Sequence, residues 1–197
     1  METFKIKEFN MKELVGISSK NIEEHLKLYK GYVSNSNLII NKINEYKKDK
    51  GENGYAISEL RRRFAFEFGG MRNHEYYFGS LENGTKEINK EGELFSMIEK
   101  VFGSFDTWLN DFKSIAMTRG VGWAMLYYDK TNNILINHWV DEQHIGQLVG
   151  LSPVLCLDMW EHAFVYDYAT SEKGKYVEAF FANLDWSAIE ENFNKAK

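Results

Sequence analysis

Residues 123–140 read WAMLYYDKTNNILINHWV, two aromatic and aliphatic runs set on either side of the polar stretch Asp129–Asn133. The pattern predicts a β-hairpin, with Asn132 and Asn133 supplying turn residues that tolerate positive φ. Downstream, the chain's single proline, Pro153, opens a third apolar run, PVLCLDMW (153–160), which predicts a buried strand ending at Asp158. The tail after it, KGKYVEAFFANLDWSAIEENFNK (173–195), returns to helical spacing. Upstream, GELFSMIEKVFGSFDTWLNDFKSIAMTR (92–119) predicts a helical hairpin whose turn is marked by Gly103 and Ser104.

Further towards the N-terminus the strand signal is absent. In residues 19–49 Ile22, Leu26, Tyr29 and Val33 recur about one turn apart, the spacing of one long helix or of two joined near Ser34-Asn35. Ser18 or Ser19 is placed to cap it, and Glu23 and Glu24 are read in its first turn, where the helix dipole favours acids. The Gly-rich stretch GENG (51–54) then predicts a break before a second, antiparallel helix over 58–81, and LENGTKEINKEG (81–92) reads as a loop. The expectation is an α+β fold: an N-terminal antiparallel helical hairpin domain over 1–88, and a C-terminal α/β domain over 89–197 with a small three-stranded antiparallel sheet. No internal repeat is seen.

Composition removes several function classes. A chain of 197 residues with 44% hydrophobic and 15% aromatic content buries a substantial core. The formal net charge of -5, with basic residues scattered among acids, gives no attraction to nucleic acid or anionic lipid. METFKIKEFNMKELVG lacks the apolar core of a signal peptide, and no run reaches transmembrane length, so the expected location is the cytosol, with no membrane partner. Cys156, the one cysteine, excludes an intrachain disulfide and a thiolate-cluster metal site; a bound metal must be held by nitrogen and oxygen.

Five histidines, at 25, 74, 138, 144 and 162, invite that reading. Asp158 and His162 stand four apart, so a helix starting at or just after Asp158 turns both to one face, within reach of a single cation. Taken alone, this spacing also fits a capping Asp beside a solvated His. His74 lies among aromatics in RNHEYYF, where an unpartnered imidazole costs roughly 1–3 kcal/mol; a metal or a backbone hydrogen bond satisfies it equally. The inner face of the first helix gives His25 the same two readings. Together, three imidazoles and a carboxylate suit a first-row metal with an open position for a small ligand.

DMWEHAFVYDY (158–168) resembles the signature of the iron/manganese superoxide dismutases, D-x-W-E-H-A followed by aromatics and then D-Y. GGMRNHEYYF (69–78) and SSKNIEEHLKLYKGYVSNSN (18–37) resemble that family's two ligand-bearing helices. FGSFDTW (102–108), GVGWAMLYYD (120–129) and FFANLDWSAIEENF (180–193) resemble further segments of it, in register over nearly the whole chain. The resemblance implies one manganese or iron ion per subunit, either metal being acceptable, held between the two domains by His25, His74, Asp158 and His162 with a solvent molecule as fifth ligand. It implies disproportionation of superoxide to O₂ and H₂O₂ as the metal alternates between its trivalent and divalent states.

Around those ligands the resemblance assigns further roles. Tyr32 is similar to the gateway tyrosine of the substrate channel, although one residue closer to the first ligand than in many members; the direct alternative is that Glu24 occupies the ligand position. Gly70 stands where iron-type members carry a glutamine, as in the manganese type, so the donor to the metal-bound solvent comes from WVDEQHIGQL (139–148), His144 being preferred and Gln143 held in reserve. The plain reading of His144 is a loop histidine. Trp123 and Trp160 match aromatics that wall the cavity, a role compatible with core packing. Cys156 sits two residues before Asp158 at a position that influences metal preference, or is a small buried hydrophobe. Tyr29 replaces a usual histidine, and Val165 the tyrosine that meets it from the other subunit. Glu161 is retained, and in the family it crosses a dimer interface to the partner's ligand histidine, here His162; a homodimer, or a tetramer built from it, is implied. Two other functions use the same residues: zinc-dependent hydrolysis, with Tyr32 or His144 as base, and a metal-binding homologue without turnover.

Overall fold

The computed structural model describes residues 3–197, the side chain of Lys50 excepted; Met1 and Glu2 of the N-terminal stretch lie outside the described residues. Helix α1 spans Ser19–Tyr46, α2 Lys50–Gly79, α3 Glu93–Phe102 and α4 Phe105–Ala116. Strands β1 (Gly122–Asp129), β2 (Ile134–Asp141) and β3 (Ser152–Asp158) precede α5 (Lys173–Ala182) and α6 (Trp186–Ala196). This is the α+β architecture expected, with a three-stranded antiparallel sheet in the order β2-β1-β3. Among the described residues no helix is long and apolar enough to cross a membrane.

Ser18 caps α1, its hydroxyl accepting from the Asn21 amide at 3.1 Å. Glu23 and Glu24 fall in the second turn rather than the first, where Lys20 and Lys27 pair with them. The helix runs unbroken through Ser34-Asn35. A reason lies at Asn37, whose side chain accepts from the amides of Thr3 and Phe4 and donates to the Phe4 carbonyl, tying the N-terminal segment to the helix.

The expected break at GENG is also displaced. Both glycines lie inside α2, and the chain reverses earlier, in a 3-10 turn at Lys47–Asp49. Asp49 caps α2 by accepting from the Glu52 amide. A glycine in a helix interior costs only about 1 kcal/mol, too little to break a helix of 30 residues capped at its start. The two helices run antiparallel: Asn35 meets Glu67, Tyr29 meets Glu75, and His25 meets Phe78.

Between α3 and α4, Gly103 adopts φ +86, and Ser104 accepts from the Thr107 amide as N-cap. The β1–β2 turn follows the hairpin pattern, but of the two asparagines only Asn133 takes positive φ (+52). Central β1 is buried along its whole length, as a middle strand covered on both faces must be. Pro153 lies on the edge strand β3, where a missing amide donor breaks no ladder. The tail forms two helices, because Asp185 caps α6 and so ends the run at Asn183-Leu184.

Candidate metal centre

Four side chains from four places in the chain converge where the helical hairpin meets the sheet. His25 comes from α1, His74 from α2, Asp158 from the last residue of β3 and His162 from just beyond it, with one ligand atom from each lying within 4.8 Å of all the others. The turn carrying His162 is not the α-helix anticipated but a short 3-10 turn, Glu161–Ala163. Asp158 and His162 therefore meet because a strand end and a tight turn face each other. The Asp158 Oδ2 atom is the focus: His25 Nε2 lies 3.0 Å from it, His162 Nε2 3.2 Å and His74 Nε2 3.5 Å. Glu24 points away, to Lys20 and Lys27, and cannot take the ligand position.

Two of the four donors are oriented from behind, whereas His25 Nδ1 is buried without a hydrogen-bond partner. His74 Nδ1 donates to the Gly70 carbonyl at 2.6 Å, which fixes the tautomer and leaves the Nε2 lone pair facing the cluster. That Nε2 is buried and has no hydrogen-bond partner. The other carboxylate oxygen of Asp158, Oδ1, accepts from the Trp160 amide at 2.8 Å, leaving Oδ2 for the cluster. Separations of 3.0 to 3.5 Å from Asp158 Oδ2 to the three imidazole nitrogens, with all four atoms within 4.8 Å of one another, suit a shared first-row cation with bonds of about 2.0–2.2 Å.

Electrostatics agree. Burial pushes the His74 imidazole down to about 3, with the nearby His25 adding to the effect, so the ring is neutral and free to ligate at physiological pH. His25 is lowered too, again by burial first. For Asp158 burial acts the other way, but His162 and His25 outweigh it and hold the carboxyl below its usual range.

Around the cluster runs a hydrogen-bond chain. Trp123 Nε1 donates to Gln143 Oε1 at 2.9 Å, and Gln143 Nε2 donates to the Tyr32 hydroxyl at 2.9 Å. Since an indole N–H only donates, Gln143 must turn its oxygen to Trp123 and its NH₂ to Tyr32. Trp123 and Tyr32 in turn pack on His74, with ring centroids at 5.0 and 5.1 Å. Trp160 stacks on His162 at 5.7 Å and donates to the Glu142 carbonyl.

Two glycines make this arrangement possible. A Cβ on Gly69 would come within 2.2 Å of the Gln143 carbonyl oxygen, and one on Gly70 within 2.5 Å of the Tyr32 ring. Only bare backbone lets α2 approach both so closely.

The preferred His144 is not in this chain of contacts. Its neighbour Glu142 holds φ +50, a backbone conformation that side chains rarely adopt. Beyond that kink Gln143 turns inward and is fully buried, while the His144 ring lies against Phe66 and lines an outer cleft. Sequence spacing could not register a one-residue kink of this kind.

The remaining positions are placed as follows. Tyr29 is buried, accepting from the Lys7 amide and donating to Glu75. Cys156 is buried two residues before Asp158, its thiol pushed up by burial. Glu161, Val165 and Tyr166 are exposed. Three participants went unread in the sequence. Tyr77 and Phe78 pack on His25 at 5.0 and 4.9 Å. Gln147 donates to Asn73, which itself donates to the Gln143 carbonyl. Nothing in their spacing marks them.

An α+β fold carrying a buried centre of three imidazoles and one carboxylate defines a mononuclear metalloprotein of the borderline-metal, nitrogen-and-oxygen type. Within that class, the family model described as iron/manganese superoxide dismutases, C-terminal domain, matches residues 90–192. Curated relatives extend the match. The superoxide dismutase [Fe] of Aquifex pyrophilus is 36% identical over 188 residues, 93% of this chain and 87% of that protein. The superoxide dismutase [Mn] of Nocardia asteroides is 34% identical over 175 residues, 87% of this chain and 82% of that protein. That of Haloarcula marismortui is 42% identical over 124 residues, 62% and 59%. The chain belongs to the iron/manganese superoxide dismutase family.

Proposed function

We propose that this chain is a superoxide dismutase whose manganese or iron ion is held by His25, His74, Asp158 and His162. The observation that carries the reading is the convergence of three imidazole Nε2 atoms on Asp158 Oδ2, with the His74 nitrogen buried and otherwise unpartnered. Bound there, the ion supplies a one-electron acceptor and donor, so that one superoxide leaves as O₂ and a second, with two protons, as H₂O₂. The three neutral rings and one anion leave modest positive charge, suited to a metal that changes its valence by one.

The protein's own part is to orient the donors and to manage protons. Tyr32 and Gln143 are the residues for the second task. Gln143 spends one N–H on Tyr32 and has a second to donate, while Trp123 fixes the amide's direction. The Tyr32 oxygen accepts from Gln143, which leaves its own proton available inside the cavity. What supports Gln143 over His144 is this double hydrogen bond together with complete burial. Burial, with Asp158 adding, raises the Tyr32 phenol far above its ordinary value, so it stays protonated at neutral pH. That disfavours Tyr32 as the general base of a zinc-dependent hydrolysis.

A homodimer completes the reading. The Glu161 carboxylate has no partner among the described residues, and it lies beside the partly exposed His162 and the exposed apolar side chains of Val165 (45%) and Tyr166 (55%). A second copy of the chain covers these and brings Glu161 to the ligand histidine opposite. Metal analysis and stopped-flow superoxide decay on manganese- and iron-loaded protein test the function. Zinc as the sole metal, or bound manganese or iron without turnover, overturns it.

A further inference from the structure

An open cleft of about 440 Å³ lies outside the cluster, lined by Arg62, Arg63, Phe66, Glu142 and His144 among others. Phe66 separates it from the site. Its ring lies 6.0 Å from Tyr32 and edge-on to Trp160 at 6.3 Å, and those two rings rest on His74 and His162 respectively. An anion entering from this side passes Phe66 to reach Tyr32.

Next to Phe66 stands a charge that should obstruct that passage. Glu67 is only 4% exposed; its Oε1 accepts from Arg63 Nε at 2.8 Å and its Oε2 from Asn35 Nδ2 at 3.3 Å. The Arg63 guanidinium also lies over the Phe66 ring, 3.8 Å from the centroid. The fields of both groups reach the Tyr32 hydroxyl with opposite sign. The other charges at the cleft do not compensate a bare Glu67: Arg62 is taken by Glu59, and Glu142 forms no ion pair among the described residues. An i,i+4 pair on a helix surface is worth little for stability, but a buried carboxylate beside the path of an anionic substrate matters for entry.

We propose that Arg63 is a specificity-determining residue: by pairing with Glu67 across Phe66, it cancels the carboxylate beside Tyr32 and admits small monoanions to the metal cluster. This rests on the dismutase reading for its substrate, and on the geometry alone for its anion selectivity. No direct contact of Arg63 with the reacting atoms is involved.

The test uses azide, a small monoanion, titrated optically against manganese- or iron-loaded protein, beside superoxide decay on the same samples. Arg63→Gln should weaken azide binding and lower kcat/KM by roughly three- to tenfold at low ionic strength, the deficit shrinking as salt screens the charge. Glu67→Gln should shift both in the opposite direction, and the double variant should recover most of what Arg63→Gln loses. A helix-stabilising role alone predicts something different: lower melting temperatures in both single variants with azide affinity unmoved, which would overturn the proposal. So would equal, same-sign effects of the two single variants. Wild-type protein that binds azide but does not consume superoxide refutes the dismutase reading, while the azide series still decides the role of Arg63.

Discussion

Gly70→Ala puts a methyl group where the Tyr32 ring already is. The added Cβ falls 2.5, 2.7 and 2.8 Å from three ring carbons, short of the ordinary carbon contact of about 3.5 Å by about 1 Å. Tyr32 must withdraw by that amount, which stretches its 2.9 Å bond from Gln143 beyond hydrogen-bonding range. The lost bond costs about 1 kcal/mol and the overpacking about 1–3, while alanine in a helix returns roughly 1. The net is a destabilisation of about 2 kcal/mol, or roughly 4–8 °C in Tm for a chain of this size. Turnover should fall about tenfold, the equivalent of one misplaced hydrogen bond. Metal should stay bound, because His74 is held through the Gly70 carbonyl, which the substitution keeps. Calorimetry, metal analysis and superoxide decay read the three quantities. The control is Gly54→Ala in the same helix, where a Cβ meets nothing within 4 Å and stability should rise by about 0.5–1 kcal/mol. If Gly70→Ala behaves like Gly54→Ala, with higher Tm and full turnover, the close packing of Tyr32 on α2 is not what holds the bond between Gln143 and Tyr32.

Other outcomes follow from the same geometry. His74→Ala and Asp158→Ala should each abolish manganese and iron binding in metal analysis, since each removes a donor at the focus of the cluster. Gln143→Leu should keep the metal and lose at least tenfold in turnover, whereas His144→Ala, outside the hydrogen-bond chain, should lose far less; the reverse order would restore His144 to the mechanism. Metal-free protein should weaken steadily under acid. The folded state holds His74 down to about 3 while the unfolded chain takes up that proton near 6.5, so the unfolded state binds more protons and stability falls as pH drops from 6.5 towards 3. The lowered Asp158 adds a loss of the same sign further down; urea titrations between pH 7 and 4 that show flat stability would contradict the His74 shift. Glu161→Ala should raise the monomer fraction in analytical ultracentrifugation, and an unchanged profile would exclude this face as the interface.

Much of this protein is written along the chain. The two apolar runs around Asp129–Asn133, the lone Pro153 and the periodicity of α1 fix the α+β class, because such patterns depend only on neighbouring residues. The four ligands are legible for a related reason: their residue types are scarce, and DMWEHAFVYDY carries two of them in one short stretch. What the chain does not spell out is set by contacts between distant segments. GENG reads as a break, yet it lies inside α2, because the chain reverses before it in the turn at Lys47–Asp49 and Asp49 caps the helix there. His144 and Gln143 are indistinguishable by spacing; the positive φ of Glu142, the Trp123 indole and the bare backbone of Gly69 together turn Gln143 inward. The pairing of Asn35 and Arg63 on either side of Glu67 joins two helices, so the charge beside Tyr32 exists only once those helices have docked. Local pattern chooses the elements and the ligand chemistry, while the second layer of donors, charges and rings depends on distances that only the packed chain defines.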